Sequence, residues 1–205
     1  VALSVVPVDG GPPPEPFLLD VPARRFVIVD LDAETRVDRA TPHWIQVQSL
    51  TEDGVAATRL LTLSDPVSSL GAKPGRAGSS GLTVAAKGWS VPYVAPAPDA
   101  GTTLDLLNPG STSATVTIEV LAGGAVSPFP VPGKIEVPPG RVVVIDTTPA
   151  APVGAVALEL KADQPVLVER RTAGSTRDLT IQPALPHSGS STEVPSVYVD
   201  RAPGS

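Results

Sequence analysis

Short runs of β-branched residues dominate the hydrophobic pattern of this 205-residue chain. Between positions 115 and 120, Val116, Ile118 and Val120 alternate with Thr and Glu. This period of two is typical of an antiparallel strand with one buried face. Proline or glycine interrupts nearly every window of about twelve residues, so no segment keeps the spacing of an amphipathic helix. The pattern therefore predicts an all-β chain with almost no helix.

The predicted strands are about four to eight residues long, and turn residues separate them roughly every 8–12 positions, as in β-sandwiches. In chain order they are Val1–Val8, Arg25–Asp30, Trp44–Leu50, Val55–Leu63, Leu82–Ala86, Val91–Val94, Thr103–Asn108, Ala114–Leu121, Lys134–Val137, Arg141–Asp146, Ala155–Lys161, Pro165–Arg171, Leu179–Gln182 and Ser196–Asp200.

An internal repeat relates two distant parts of the chain. VPARRFVIVD at 21–30 matches VPPGRVVVID at 137–146 without a gap, and Arg25 falls on Arg141. Two tandem copies of one domain explain this match, and we predict two antiparallel β-sandwich domains of immunoglobulin-like kind. Weaker matches join Leu50–Asp53 to Leu160–Asp163, Gly81–Val84 to Asp178–Ile181, and Val91–Val94 to Ser196–Val199.

The phase of the repeat sets the predicted domain boundaries. The first domain, 1–84, lacks its opening strands, because nothing in it corresponds to 89–110. The second domain covers 85–185. Residues 186–205 are predicted to be flexible apart from one strand at 196–200, which either starts a third copy or closes onto the first domain. We expect closure, because an exposed N-terminal edge strand would favour aggregation.

Three strings carry a resemblance to a known group: LNPGSTSATVTI at 107–118, VPPGRVVVID at 137–146 and VLVERR at 166–171. They resemble the tandem β-sandwich repeat domains of secreted or membrane-anchored actinobacterial proteins in a family of unknown function. The resemblance is good over 89–185 and partial over 17–84, where the Asn-Pro-Gly hairpin is missing. It implies an extracytoplasmic location, secreted or anchored in the cell envelope, and it implies no catalytic residues.

Composition excludes several kinds of chemistry. The chain has no cysteine, and therefore no disulfide, thiolate metal site or cysteine nucleophile. A net charge of -6 without a basic patch argues against nucleic acid as a partner. No apolar run reaches the roughly 18 residues of a membrane span, so we predict none in this chain. We also predict no cofactor.

Three acidic residues form a weak calcium candidate. Asp30, Asp32 and Glu34 stand at alternate positions, a spacing that often starts a calcium loop. The glycine and the bidentate glutamate that such a loop needs are absent. An acidic loop after a strand explains the three residues better, and we predict no metal.

Three aromatic residues are the ligand candidates. Trp89 and Tyr93 share one face of a predicted strand, and Trp44 begins another. Exposed rings could stack on sugars, as in carbohydrate-binding modules. The alternative is that they anchor the core, where large rings bury the most area. Exposure of the rings separates the two interpretations.

The residues favour a non-catalytic structural or protein-interaction module. It would present sheet edges and loops to a partner, and strand addition is a suitable mode. The Pro/Gly/Ser-rich stretch 65–80 is either disordered or a binding loop. Arg141, Arg170 and Arg171 are expected to form cross-strand pairs with Asp146 and Glu169. A carbohydrate-binding module is the alternative. An enzyme comes third, since no Gly-x-Ser-x-Gly elbow or phosphate-binding loop is present.

Overall fold

A computed structural model describes residues 1–38, 41–63, 75–94, 101–130, 133–147, 156–173 and 179–187. In these ranges the chain forms antiparallel β-strands and no helix, which confirms the predicted all-β class. The strands are β1 (Ala2–Pro7), β2 (Phe17–Leu18), β3 (His43–Gln48), β4 (Thr58–Leu63), β5 (Gly75–Ser80), β6 (Ala86–Val94), β7 (Gly101–Leu107), β8 (Ala114–Ala122), β9 (Ala125–Pro128), β10 (Ile135–Val137), β11 (Val142–Asp146), β12 (Val156–Ala173), β13 (Leu179–Pro183) and β14 (Leu185–His187). Over the described residues, no helix could cross a membrane.

Strand β12 organises the larger sheet, because its two halves have different neighbours. The first half pairs with β8 on one side and β6 on the other, and β10 and β14 extend this order outwards. The second half pairs with β7 and β13, and β7 also pairs with β11. A register shift between Lys161 and Val166 separates the halves. The sequence predicted two strands here, Ala155–Lys161 and Pro165–Arg171; the structure joins them into one.

The main hydrophobic core takes alternate side chains from both halves of this sheet. Burying each large apolar side chain contributes roughly 1.5–3 kcal/mol, so this cluster holds the two halves of the sheet together. Its fully buried members include Trp89, Leu104, Leu106, Leu158, Leu160, Val166 and Val168.

A smaller sheet is formed by the first part of the chain, with strand order β2-β1-β3. Its own cluster buries Leu3, Val5, Phe17 and Val37, and the guanidinium of Arg36 lies 4.0 Å from the centre of the Phe17 ring. The order matches β10-β8-β12 in the larger sheet. Strand β2 pairs with Ala2 and Leu3 of β1, so among the described residues the N-terminal edge that suggested closure by the C-terminal strand is covered in part.

Strands β4 and β5 form a hairpin that packs on β13. Leu61 and Ala77 contact Leu179 and Ile181 in a third small cluster. The loop predicted at 65–80 is thus wrong for its last six residues, which are β5. The rest of that stretch lies outside the described residues.

Two predicted strands are wrong. Arg25–Asp30 forms no strand, and of Leu82–Ala86 only Ala86 belongs to one, as the first residue of β6. Both have strand-like sequences, but a strand exists only where a neighbour supplies its hydrogen bonds. The predicted strand 196–200 lies outside the described residues, and so does any test of its closure.

Candidate functional site

A tight turn leads into the candidate site. The amide of Arg25 donates a hydrogen bond to the carbonyl of Pro22 at 3.0 Å. Arg24, inside the turn, has φ of 60° and is the one non-glycine residue with positive φ in the described ranges. The left-handed region costs an L-residue roughly 1–2 kcal/mol, so this turn holds Arg24 under strain.

The aligned turn of the second repeat has the same geometry. The amide of Arg141 donates to the carbonyl of Pro138 at 3.2 Å, and Gly140 has φ of 67°. Two backbone hydrogen bonds then join this turn to the end of β7. The amide of Asn108 donates to Arg141 at 3.1 Å, and that of Gly140 donates to Asn108 at 2.8 Å. The chain continues as β11, paired along β7.

The segment Arg25–Asp30, which we name the acceptor segment, follows the first turn and pairs with no strand among the residues that the structure describes. Its side chains alternate in exposure: Phe26 is 82% exposed, Val27 44% and Ile28 80%. Val29 is partly buried against the N-terminal cluster. Across the described part of the chain, no hydrogen bond pairs the backbone of these four residues with another strand.

The alternation in the acceptor segment follows that of β11. Ile145, which aligns with Val29, is buried, and Val144, which aligns with Ile28, is exposed. In β11 every one of the five residues pairs with β7. The acceptor segment therefore has the side-chain alternation of a sheet strand, while the backbones of its four middle residues pair with no strand in the described part of the chain.

The acceptor segment ends at Asp30, the first of the three acidic calcium candidates. Asp30 accepts a hydrogen bond at Oδ1 from the amide of Asp32 at 3.1 Å, which closes a local turn at the end of the acceptor segment. Asp32 is exposed and Glu34 is half-buried. The described ranges contain no group of three or more side chains arranged to hold a metal ion.

Of the three aromatic candidates, Trp89 and Tyr93 lie in β6 and Trp44 lies in β3. Trp89 is 0% exposed, and its Nε1 donates to the carbonyls of Ala86 and Val166, both at 3.0 Å. A ring without exposed surface cannot stack on a sugar. Tyr93 lies in β6, and its side chain is outside what the structure describes.

Trp44 is half-buried where the N-terminal sheet meets the second turn. Its Nε1 donates to the carbonyl of Gly140 at 3.3 Å. Beside it, Nη1 of Arg141 donates to the carbonyl of Val8 at 3.2 Å. Arg141 therefore links the two parts of the chain. The sequence had suggested a cross-strand carboxylate for this arginine.

Two ion pairs lie on the outer side of β7 and β12. Nη2 of Arg59, from β4, is 2.6 Å from Oε1 of Glu169, and the Ser79 hydroxyl donates to the same carboxylate. Nε and Nη2 of Arg171 lie 2.7 and 2.8 Å from the two oxygens of Asp105. Burial raises the pKa of Asp105, and Arg171 opposes the rise. The partners of Glu169 and Arg171 thus differ from the predicted ones.

A serine, a glutamate and a histidine meet on the outer face of β6 and β12. The Ser90 hydroxyl donates to Oε1 of Glu159 at 2.6 Å, and Nε2 of His187 lies 2.8 Å from Oε2. Serine and histidine both bind the carboxylate, so the histidine does not activate the serine as a base would. His187 belongs to β14, within the segment predicted to be flexible.

A cavity of about 290 Å³ lies at the edge of β6 and β13, lined mainly by apolar residues. The guanidinium of Arg170 donates to the carbonyl of Pro92 at 2.7 Å and to the side-chain oxygen of Gln182. Burial lowers the pKa of Arg170. The polar group of this cavity is therefore already bound within the protein.

Sequence reasoning missed the acceptor segment as a site, because its strand-like pattern suggested a paired strand. The signal was nevertheless present. The match of 21–30 to 137–146 relates this segment to β11, which pairs along its whole length with β7.

Comparison with known proteins shows only distant likenesses. No protein-family model matches the chain, and no curated protein matches it in sequence. The crystal structure of Thermotoga maritima 1070 aligns with a TM-score of 0.41 at 14% identity, over 52% of this chain and 98% of that one. Anabaena sensory rhodopsin transducer aligns with a TM-score of 0.35 at 21% identity, over 44% and 99%. Neither likeness is close enough to transfer a function.

Proposed function

We propose that this chain is a non-catalytic structural and protein-interaction module of the bacterial cell envelope, which binds a protein partner at the acceptor segment. The observation that supports this is the exposure of Phe26 and Ile28 on a segment that pairs with no strand in the described ranges. Large contiguous apolar groups on a protein surface commonly mark contact sites. Strand-like segments without a neighbour are templates for pairing with another chain.

The proposal includes two tandem β-sandwich domains of immunoglobulin-like kind, 1–84 and 85–185. Two observations support it. The turns at Pro22 and Pro138 share their hydrogen bond and their positive φ. The orders β2-β1-β3 and β10-β8-β12 also agree. The extracytoplasmic location rests on the resemblance to secreted and membrane-anchored repeat domains.

The carbohydrate-binding alternative has lost its strongest residue. Trp89 is enclosed in the core, and Trp44 is half-buried with its N–H group bound to Gly140. A sugar platform needs exposed rings on one face, and the described side chains offer none at these positions. A protein partner is therefore the better proposal.

Site-specific photo-crosslinking in the cell that produces the protein tests the proposal. A photoreactive phenylalanine analogue replaces Phe26, and a control replaces Val84, which is 63% exposed and lies outside any strand. We expect a discrete protein adduct in the envelope fraction from position 26 and none from position 84. Equal labelling from both positions, or no adduct from position 26, would overturn the proposed function.

A further inference from the structure

We propose that Arg141 and Trp44 form a latch that holds the N-terminal sheet and the larger sheet in one orientation. This goes beyond the proposed function, because it concerns how the two sheets move and does not depend on the acceptor segment. Among the described residues, the apolar clusters of the two sheets have no member in common. Sheets that share no core move relative to each other unless contacts at their junction prevent it.

Two side-chain hydrogen bonds cross the junction in opposite directions. Nη1 of Arg141, from the larger sheet, donates to the carbonyl of Val8 at 3.2 Å. Nε1 of Trp44, from the N-terminal sheet, donates to the carbonyl of Gly140 at 3.3 Å. The residues at both bonds are half-buried, and partial burial strengthens a hydrogen bond relative to one in water. Because Gly140 and Arg141 are adjacent in the chain, a rotation of one sheet against the other would break both bonds.

Gly10 makes room for the guanidinium of Arg141. A Cβ added at Gly10 would overlap Cζ of Arg141, so the guanidinium lies directly against the backbone of this glycine. Gly10 also has φ of 77°, a conformation that favours glycine. Its amide donates to the carbonyl of Pro7 at 3.2 Å, which closes a turn around Val8. The N-terminal sheet therefore offers a backbone surface without a side chain, which a planar guanidinium can cover.

The groups of the latch are anchored within their own sheets. On the larger sheet, the amide of Asn108 donates to the carbonyl of Arg141, and the amide of Gly140 donates to the carbonyl of Asn108, which is fully buried. On the N-terminal sheet, the amide of Val8 donates to the carbonyl of Pro42 at 2.8 Å. Since backbone hydrogen bonds hold both sides of the latch, the orientation set at the junction extends to each sheet as a whole.

Backbone amide NMR relaxation of the intact protein tests the latch, because it gives a rotational correlation time for each sheet. We expect one common correlation time for β1 and β3 of the N-terminal sheet and for β8 and β12 of the larger sheet. In Arg141→Ala this agreement should be lost, with faster tumbling of the N-terminal sheet. Gly10→Ala displaces the guanidinium from the other side and should have the same effect. Different correlation times in the unchanged protein, or one common value in both variants, would overturn the inference.

Arg25→Ala is the matched control, since Arg25 is the aligned arginine of the first turn and is exposed. It should leave the common correlation time unchanged, and an effect equal to that of Arg141→Ala would overturn the latch.

Tryptophan fluorescence gives a second readout. The chain has two tryptophans, and Trp89 is fully buried in the main core, so a change at the junction acts on the emission of Trp44. We expect Arg141→Ala to shift the emission to longer wavelength, because the ring of Trp44 becomes more exposed when the sheets separate. An unshifted spectrum would overturn the role of Trp44 in the latch.

Discussion

Arg24 and Gly140 adopt the same left-handed backbone conformation, with φ of 60° and 67°, at aligned positions of two proline-initiated turns. Glycine enters this region without strain, whereas arginine is opposed by its Cβ. The two turns therefore share one backbone conformation, which strains Arg24 and does not strain Gly140. The difference leads to a direct test of the shared geometry.

Arg24→Gly should stabilise the N-terminal sheet. We expect a gain of about 0.5–1 kcal/mol in the free energy of unfolding, since the relief of strain outweighs the extra freedom of glycine in the unfolded chain. Chemical denaturation measures it. Gly140→Ala is the matched control and should lose about 1 kcal/mol, because open space surrounds the added Cβ and only the backbone resists. A loss from Arg24→Gly would contradict the shared turn.

Replacing both Phe26 and Ile28 by serine should leave the fold intact. Both side chains are at least 80% exposed, so we expect the free energy of unfolding to change by less than about 0.5 kcal/mol for each substitution. Retention of the envelope partner, measured by co-purification with the intact protein, should weaken, because the double variant has lost both exposed apolar side chains of the acceptor segment. Unchanged retention of that partner by a folded double variant would count against a role for these two side chains.

Trp89→Ala should destabilise the main core strongly. The ring is fully enclosed, and removing it leaves a cavity and two carbonyls without their indole donor. We expect a loss of about 3–5 kcal/mol in the free energy of unfolding, measured by denaturation followed through circular dichroism. Trp89→Phe keeps most of the volume and should lose less. A mild effect of Trp89→Ala would show that the ring does not anchor the core.

Asp105 should titrate above the ordinary aspartate pKa of 3.8, because burial disfavours its charged form. Since the raised pKa belongs to the folded state, its contribution to the free energy of unfolding falls as pH rises from about 3.8 through the raised value, and then stays constant. Carboxyl carbon NMR measures the pKa. In Arg171→Ala it should rise further, and Arg59→Ala should move it less. A pKa below 3.8 in the unchanged protein would contradict this environment.

The alternation of apolar and polar residues was enough to predict the all-β class and most of the strands. It placed Thr103–Asn108 and Ala114–Leu121 almost as the structure has them, as β7 and β8. These features depend on residues close together in the chain, so the sequence determined them by itself.

Only the tertiary structure decided which strands have neighbours. The sequence of Arg25–Asp30 resembles that of β11, yet the segment lacks a neighbour within the described residues. Likewise, Glu169 binds Arg59, which is 110 positions away in the sequence. Trp89 could have faced solvent or the core with the same local pattern, and packing enclosed it. Strand pairing and side-chain burial are relations between distant segments. A local pattern sets the period of a strand, whereas the presence of a partner decides whether its backbone is satisfied or open.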